Sequence, residues 1–114
     1  MLRSDTIDQL APALVAAQAT IAPAEKDGIN PHFGRRYASL GAVMQAIRPA
    51  LAANGLAVSQ IVTRDGDQLA LETILVHTSG QFIGGTYPLR PTKADPQGEG
   101  SALTYARRYA LAGL

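Results

Sequence analysis

Between Leu56 and Leu89 three apolar-rich stretches, LAVSQIVT (Leu56 to Thr63), QLALETILVHT (Gln68 to Thr78) and QFIGGTYPL (Gln81 to Leu89), follow one another with only RDGD and TSGQ as turn material between them. Parallel strands need a crossover of a dozen residues or more, so connections this short make the three an antiparallel meander. In the second stretch Leu69, Leu71, Thr73, Leu75 and His77 share one face, and Ala70, Glu72, Ile74 and Val76 share the other. The first face is expected to be buried and the second to be covered in part. A three-stranded sheet leaves two edges, which proteins either cover or pair with a neighbouring subunit.

Helical patterns surround the meander. From Ser39 to Asn54, Leu40, Val43, Met44, Ile47 and Leu51 fall on one narrow arc, with Ser39 as N-cap and Asn54-Gly55 as the left-handed stop. Pro49, inside this helix, is expected to bend it or split off its last turn. A looser stripe, Ile7, Leu10, Leu14, Val15 and Ile21, predicts a helix within Thr6 to Ala22, capped by Asp5 or Thr6 and starting or kinking at Pro12. Between the two, Pro23 to Ser39 reads as a long loop. A last helix is predicted from about Gly100 to Leu114. The order is helix, loop, helix, three strands, loop, helix: an α+β arrangement with helices packed on one face of a small antiparallel sheet.

The chain has 114 residues, the size of one domain spanning 1–114, and is 46% hydrophobic but only 17% charged. Sparse charge and exposed sheet edges point separately to self-assembly. There is no cysteine, which excludes disulfides and cysteine-bound zinc and fits a reducing compartment, the cytosol being the default. The N-terminus lacks the apolar region of a secretion signal, and no apolar run has membrane-spanning length.

A net charge of +1 cannot by itself attract a polyanion, so any such interaction rests on local clusters. One is DPQGEGSALTYARRYAL, Asp95 to Leu111. On a helical wheel Ala102, Leu103, Ala106, Tyr109, Ala110 and Leu114 form an apolar arc, while Ser101, Thr104, Tyr105 and Arg108 lie opposite. Arg107 falls on the boundary, about 100° from Arg108, so the two arginines meet different partners. Arginine binds phosphate bidentately and a neighbouring ring stacks a base; a merely solvated helix face, with cations near its C-terminus, is the alternative. The second cluster, KDGINPHFGRRYA, interleaves Lys26, Arg35, Arg36 and Tyr37 with His32 and Phe33. Cations for a backbone and flat faces for unpaired bases suit single-stranded nucleic acid, although Phe33 and Tyr37 can equally pin the loop to the core. Arg90 and Lys93 would extend the same positive surface.

Catalysis finds little support. The GEGS segment lacks the lysine and spacing of a phosphate-binding Walker loop. His32 and His77 show no metal-ligand spacing, Asp95 and Glu99 form a close carboxylate pair but not the cluster that metal-based nuclease chemistry needs, and neither Ser79 nor Ser101 has an evident base.

The runs NPHFGRRYASLGAVMQAIRPALAANGL, HTSGQ, YPL and DPQGEGSALTYARRYAL resemble the ERF family of phage and prophage single-strand annealing recombinases, over about Lys26 to Leu114. HFGRRYAS is a conservative departure from the family's loop. The resemblance implies a β-β-β-α annealing core similar to ring-forming recombination mediators, and a further segment with a variable C-terminal tail beyond the point where this chain ends. It implies a homo-oligomer, ring or helical filament, that binds single-stranded DNA and pairs complementary strands in recombination and repair without ATP, metal or other cofactor, in the cytoplasm of a bacterial host. Tyr37 with Arg35 and Arg36, and Tyr105, Arg107, Arg108 and Tyr109, match the motif positions. Lys26, Arg90 and Lys93 complete the expected DNA-binding set. Arg107 is the one most suited to a structural role. If the motif instead forms the subunit interface, the chain is an assembly core whose DNA capture needs further C-terminal residues.

Overall fold

The computed structural model describes residues 2–29, 36–90 and 96–114. Its elements are β1 (Leu2–Arg3), α1 (Leu10–Thr20), β2 (Gly28–Ile29), β3 (Arg36–Tyr37), α2 (Leu40–Ala53), β4 (Leu56–Asp65), β5 (Gln68–His77), β6 (Phe82–Pro88) and α3 (Pro96–Ala112). The meander forms as the spacing requires: β4 runs antiparallel to β5 from Leu56 opposite His77 to Asp65 opposite Gln68, and β5 to β6 from Val76 opposite Phe82 to Ala70 opposite Pro88. Gly66, at φ 62°, takes the first of the two loop positions between Asp65 and Gln68, where the twist of a tight hairpin calls for a left-handed residue.

The sheet has one strand more than the sequence pattern predicts. Leu2 and Arg3 lie antiparallel to Gly84 and Ile83, giving the order β1-β6-β5-β4. Two residues are too few for a period of two to register in sequence. Similarly, the long loop carries a small ribbon at its base, with Gly28 opposite Tyr37 and Ile29 opposite Arg36.

All three helices pack on the sheet face that carries Leu56, Val58, Leu71, Leu75 and Ile83. The main core joins Leu10 and Ala17 of α1, Val43, Ile47, Ala50 and Leu51 of α2, Leu56, Leu75, and Leu111 of α3. A second cluster, Leu71, Leu89 and Ala106, seats the first half of α3 on the sheet. The result is a two-layer slab of 42 × 36 × 15 Å.

Helix ends show where local rules hold and where distant residues override them. Ser39 caps α2 as expected, its hydroxyl accepting from the Ala42 amide at 3.2 Å, and Gly55 (φ 70°) follows Asn54 at the stop. Pro49 does not split off the last turn: α2 is continuous through it. Gln45, whose carbonyl loses its partner to the proline, lies with Pro49 on the exposed side, where water can serve that carbonyl. α1 begins at Leu10, later than the predicted cap at Asp5 or Thr6, with Pro12 in its first turn. Its cap comes from the β5–β6 turn: Gln81 Oε1 accepts from the Gln9 and Leu10 amides, both at 2.9 Å. α3 begins at Pro96, four residues before the predicted start at Gly100, because proline is well placed at a first helical position.

Candidate functional site

α3 carries the motif, and its buried side is set by two neighbours at once. Ala106 is fully buried on Leu71 and Leu89, while Leu111 is buried against the α1 and α2 side of the core. The wheel places Tyr109 on the apolar arc and omits Leu111; the structure reverses both. Tyr109 is 59% exposed, and the buried arc is rotated toward Leu111 by about 60° on a 100°-per-residue wheel. The second contact, with α2, turns the helix this way, and a wheel drawn for one neighbour cannot include it.

The rotation separates the two arginines. Arg107 is half-buried and turned toward β4, where its Nε–H donates to Gln60 Oε1 at 3.1 Å. Gln60 Nε2 in turn donates to the Arg107 carbonyl at 3.3 Å and to Thr73 Oγ1 at 3.1 Å, its cross-strand partner on β5. Arg107 therefore ties α3 to the middle of the sheet. Arg108 lies on the other side, its guanidinium carbon 5.4 Å from the centroid of the Tyr105 ring, within the range of a cation–π contact.

From Arg108 a row of rings continues. Tyr105, 51% exposed, stacks on Tyr109 with centroids 6.0 Å apart and planes 15° apart; Tyr109 meets Tyr87 of β6 at 5.6 Å and 48°. Two large, half-exposed rings one helical turn apart, with a cation above the first, offer flat apolar surface beside positive charge. Flat faces of this kind accept unpaired bases. Tyr87 is a member that sequence reasoning did not single out. The signal was present in the period of two, which puts Tyr87 opposite Leu71 on the face where α3 packs.

The remaining expected residues fall in two places or outside the described residues. Lys26 is exposed on the segment leading into β2. Its neighbour Asp27 fastens that segment to α2, Oδ1 accepting from the Ser39 amide and Oδ2 from the Ser39 hydroxyl, each at 2.8 Å. The backbone bond from Ser39, then the hydroxyl bond, holds the Asp27 carboxyl below its ordinary pKa of 3.8. Arg36 and Tyr37 are placed by the backbone of β3, opposite Ile29 and Gly28. Arg90 is exposed just past Leu89, whose amide and carbonyl are both held, by the Leu69 carbonyl and Gln68 Nε2. Arg35 and Lys93, with His32, Phe33 and Asp95, lie outside the described residues. Thus the structure brings Tyr105, Arg108, Tyr109 and Tyr87 into one row, turns Arg107 to the opposite flank of α3, and leaves Lys26 on the segment before β2.

Among the described residues, no three His, Asp or Glu side chains gather as metal ligands, and no helix is long and apolar enough to cross a membrane. The model of the ERF superfamily matches residues 10–114 of the chain. No curated protein and no solved structure matches it.

Proposed function

From the premise that this chain belongs to the ERF superfamily, a family of phage-type single-strand annealing recombination proteins, we propose that it is an oligomeric single-stranded DNA-binding protein that anneals complementary strands without ATP. The observation that carries this reading is the row Arg108, Tyr105, Tyr109 and Tyr87 on the outer side of α3. Cations hold phosphates and rings hold bases by stacking, which is indifferent to sequence, as annealing of arbitrary strands requires. Lys26, Arg35, Arg36, Tyr37, Arg90 and Lys93 are the further residues assigned to strand binding in this reading, with Arg107 fixing the helix that bears the row. The protein works as a binding surface, with no catalytic step and no cofactor, in the cytoplasm of the bacterial host.

Homo-oligomerisation is supported by the sheet's second face. Leu2, Ile61 and Val76 are exposed there, and β4 is a ten-residue edge strand with no partner on its outer side among the described residues. A radius of gyration of 15.4 Å, against about 13 Å for a compact 100-residue domain, describes a slab suited to lateral packing.

Fluorescence anisotropy of a labelled unstructured strand across a salt series tests the reading. Arg108→Ala should weaken binding and reduce the slope of log K against log salt by about 0.7 per lost phosphate contact. An unchanged slope in a folded, equally assembled variant removes Arg108 from the site. The bond from Arg107 to Gln60 favours a second reading, in which the motif serves packing and assembly and DNA capture depends on residues past Leu114. In that case Arg108→Ala lowers the assembly mass in light scattering while any DNA affinity is unaffected.

A further inference from the structure

Gly85 is a glycine that the fold does not require. It does not have the positive φ found at Gly55, Gly66 and Gly80, and a Cβ built on it meets nothing within 4 Å. A glycine inside a strand weakens it, so its presence calls for another reason. Its neighbour Gly84 is different, since a Cβ there would lie 2.6 Å from the Thr73 carbonyl oxygen.

The space above Gly85 belongs to a cavity of about 350 Å³ between β6 and the C-terminal half of α3. Its floor is Leu75, Ile83 and Gly85, and Tyr87 and Tyr109 wall it where the row of rings begins. The surface is mainly apolar, with two sources of polar groups. One is Thr73, a lining residue whose hydroxyl accepts from the Gln60 amide that Arg107 holds. The other is the edge of β6. Phe82 bonds outward to Ser4, and strand alternation turns the Thr86 amide and carbonyl the same way, past the end of β1 at Leu2 opposite Gly84. Arg108 stands at the far end of the ring row and Arg90 just beyond β6, and arginine is a side chain that binds phosphate.

We propose that this cavity receives an unpaired base of the bound single strand, with Gly85 providing the room, Tyr87 and Tyr109 a single aromatic wall, and Thr73 and the β6 edge the partners for the base's polar rim. The inference rests on the reading of the chain as a single-strand binder. It adds to the exposed rings a recessed site between β6 and α3 that takes one base.

The test compares anisotropy of labelled oligothymidylate with that of an equally long strand carrying abasic sites, for the wild-type protein, Gly85→Leu and Gly85→Ala, with circular dichroism and light scattering as controls. Wild type should bind the base-bearing strand about fivefold more tightly or better, the lower end of what one stacked base contributes. Gly85→Leu, which projects into the cavity, should lose the share of that preference that the cavity supplies while keeping salt-dependent binding to the abasic strand. Gly85→Ala should lose part of it, and decides the matter if the leucine variant does not fold. Preference retained in full in folded variants overturns the base site and leaves the annealing reading standing. Loss of assembly mass in the variants also overturns it, and assigns the cavity to a side chain of a second copy. Wild-type protein that binds neither strand overturns the annealing reading itself.

Discussion

Arg107→Ala should reduce stability and leave the DNA salt slope unchanged, although Arg107 adjoins Arg108 in the motif. Its Nε–H donates to Gln60 Oε1 at 3.1 Å, and the same Gln60 bonds back to the Arg107 carbonyl and across to Thr73. A hydrogen bond with a charged partner contributes about 1.5–3 kcal/mol; Arg107 and Gln60 are half-buried, so water recovers part of it, and we expect a loss of about 1–2 kcal/mol. For a domain of this size that lowers the melting midpoint by on the order of 5–10 °C. Urea unfolding followed by circular dichroism measures it, and a double-mutant cycle with Gln60→Ala should return a coupling of at least about 0.5 kcal/mol. The salt slope for single-strand binding should match wild type. Wild-type stability, zero coupling and a slope reduced by about 0.7 would refute the argument and make Arg107 a phosphate contact.

Three further outcomes follow from the geometry. Gln81→Ala removes the acceptor of the Gln9 and Leu10 amides and the donor to Thr6 and Asp8, and should destabilise by about 1–2 kcal/mol, with faster hydrogen exchange at Gln9 and Leu10. Asp27, whose pKa is lowered by Ser39, contributes stability that is present above its ordinary 3.8 and is lost as pH falls through the lowered folded value; Asp27→Asn should flatten that acid limb in a pH series of unfolding curves. Gly84→Ala must displace β6 or β5 to relieve its 2.6 Å approach to the Thr73 carbonyl and should cost about 1–3 kcal/mol, while Gly85→Ala is neutral or stabilising, as thermal melts of the pair will tell.

The parts of this fold legible in sequence are those governed by neighbours in the chain. The meander follows from a period of two and short turns, and α2 from a single arc of Val43, Ile47 and Leu51 with Ser39 before it. What escaped depends on residues far away. The α1 cap is a side chain more than 70 residues later, and β1 is two residues recognisable only because Gly84 and Ile83 are beside them. The site divides in the same way. The divergence of Arg107 and Arg108 is a property of the helix and could be read in advance. The exposure of Tyr109, and its meeting with Tyr87, depend on α3 packing against α2 as well as the sheet, which no wheel contains.

The two layers of the slab present different surfaces. The open sheet face presents Leu2, Ile61 and Val76 around Glu72, which lies opposite Ile61 and Thr86 on the neighbouring strands. A carboxylate amid apolar side chains repels a phosphate backbone and suits protein contact. The helix layer carries the reverse combination, exposed rings with arginine beside them. In the reading proposed above, assembly on the first face and strand capture on the second would let neighbouring copies line up their ring rows without covering them. In the proposed reading a strand would run from one copy to the next, gaining affinity from each, and bases outside the cavities would stay available to a complementary strand.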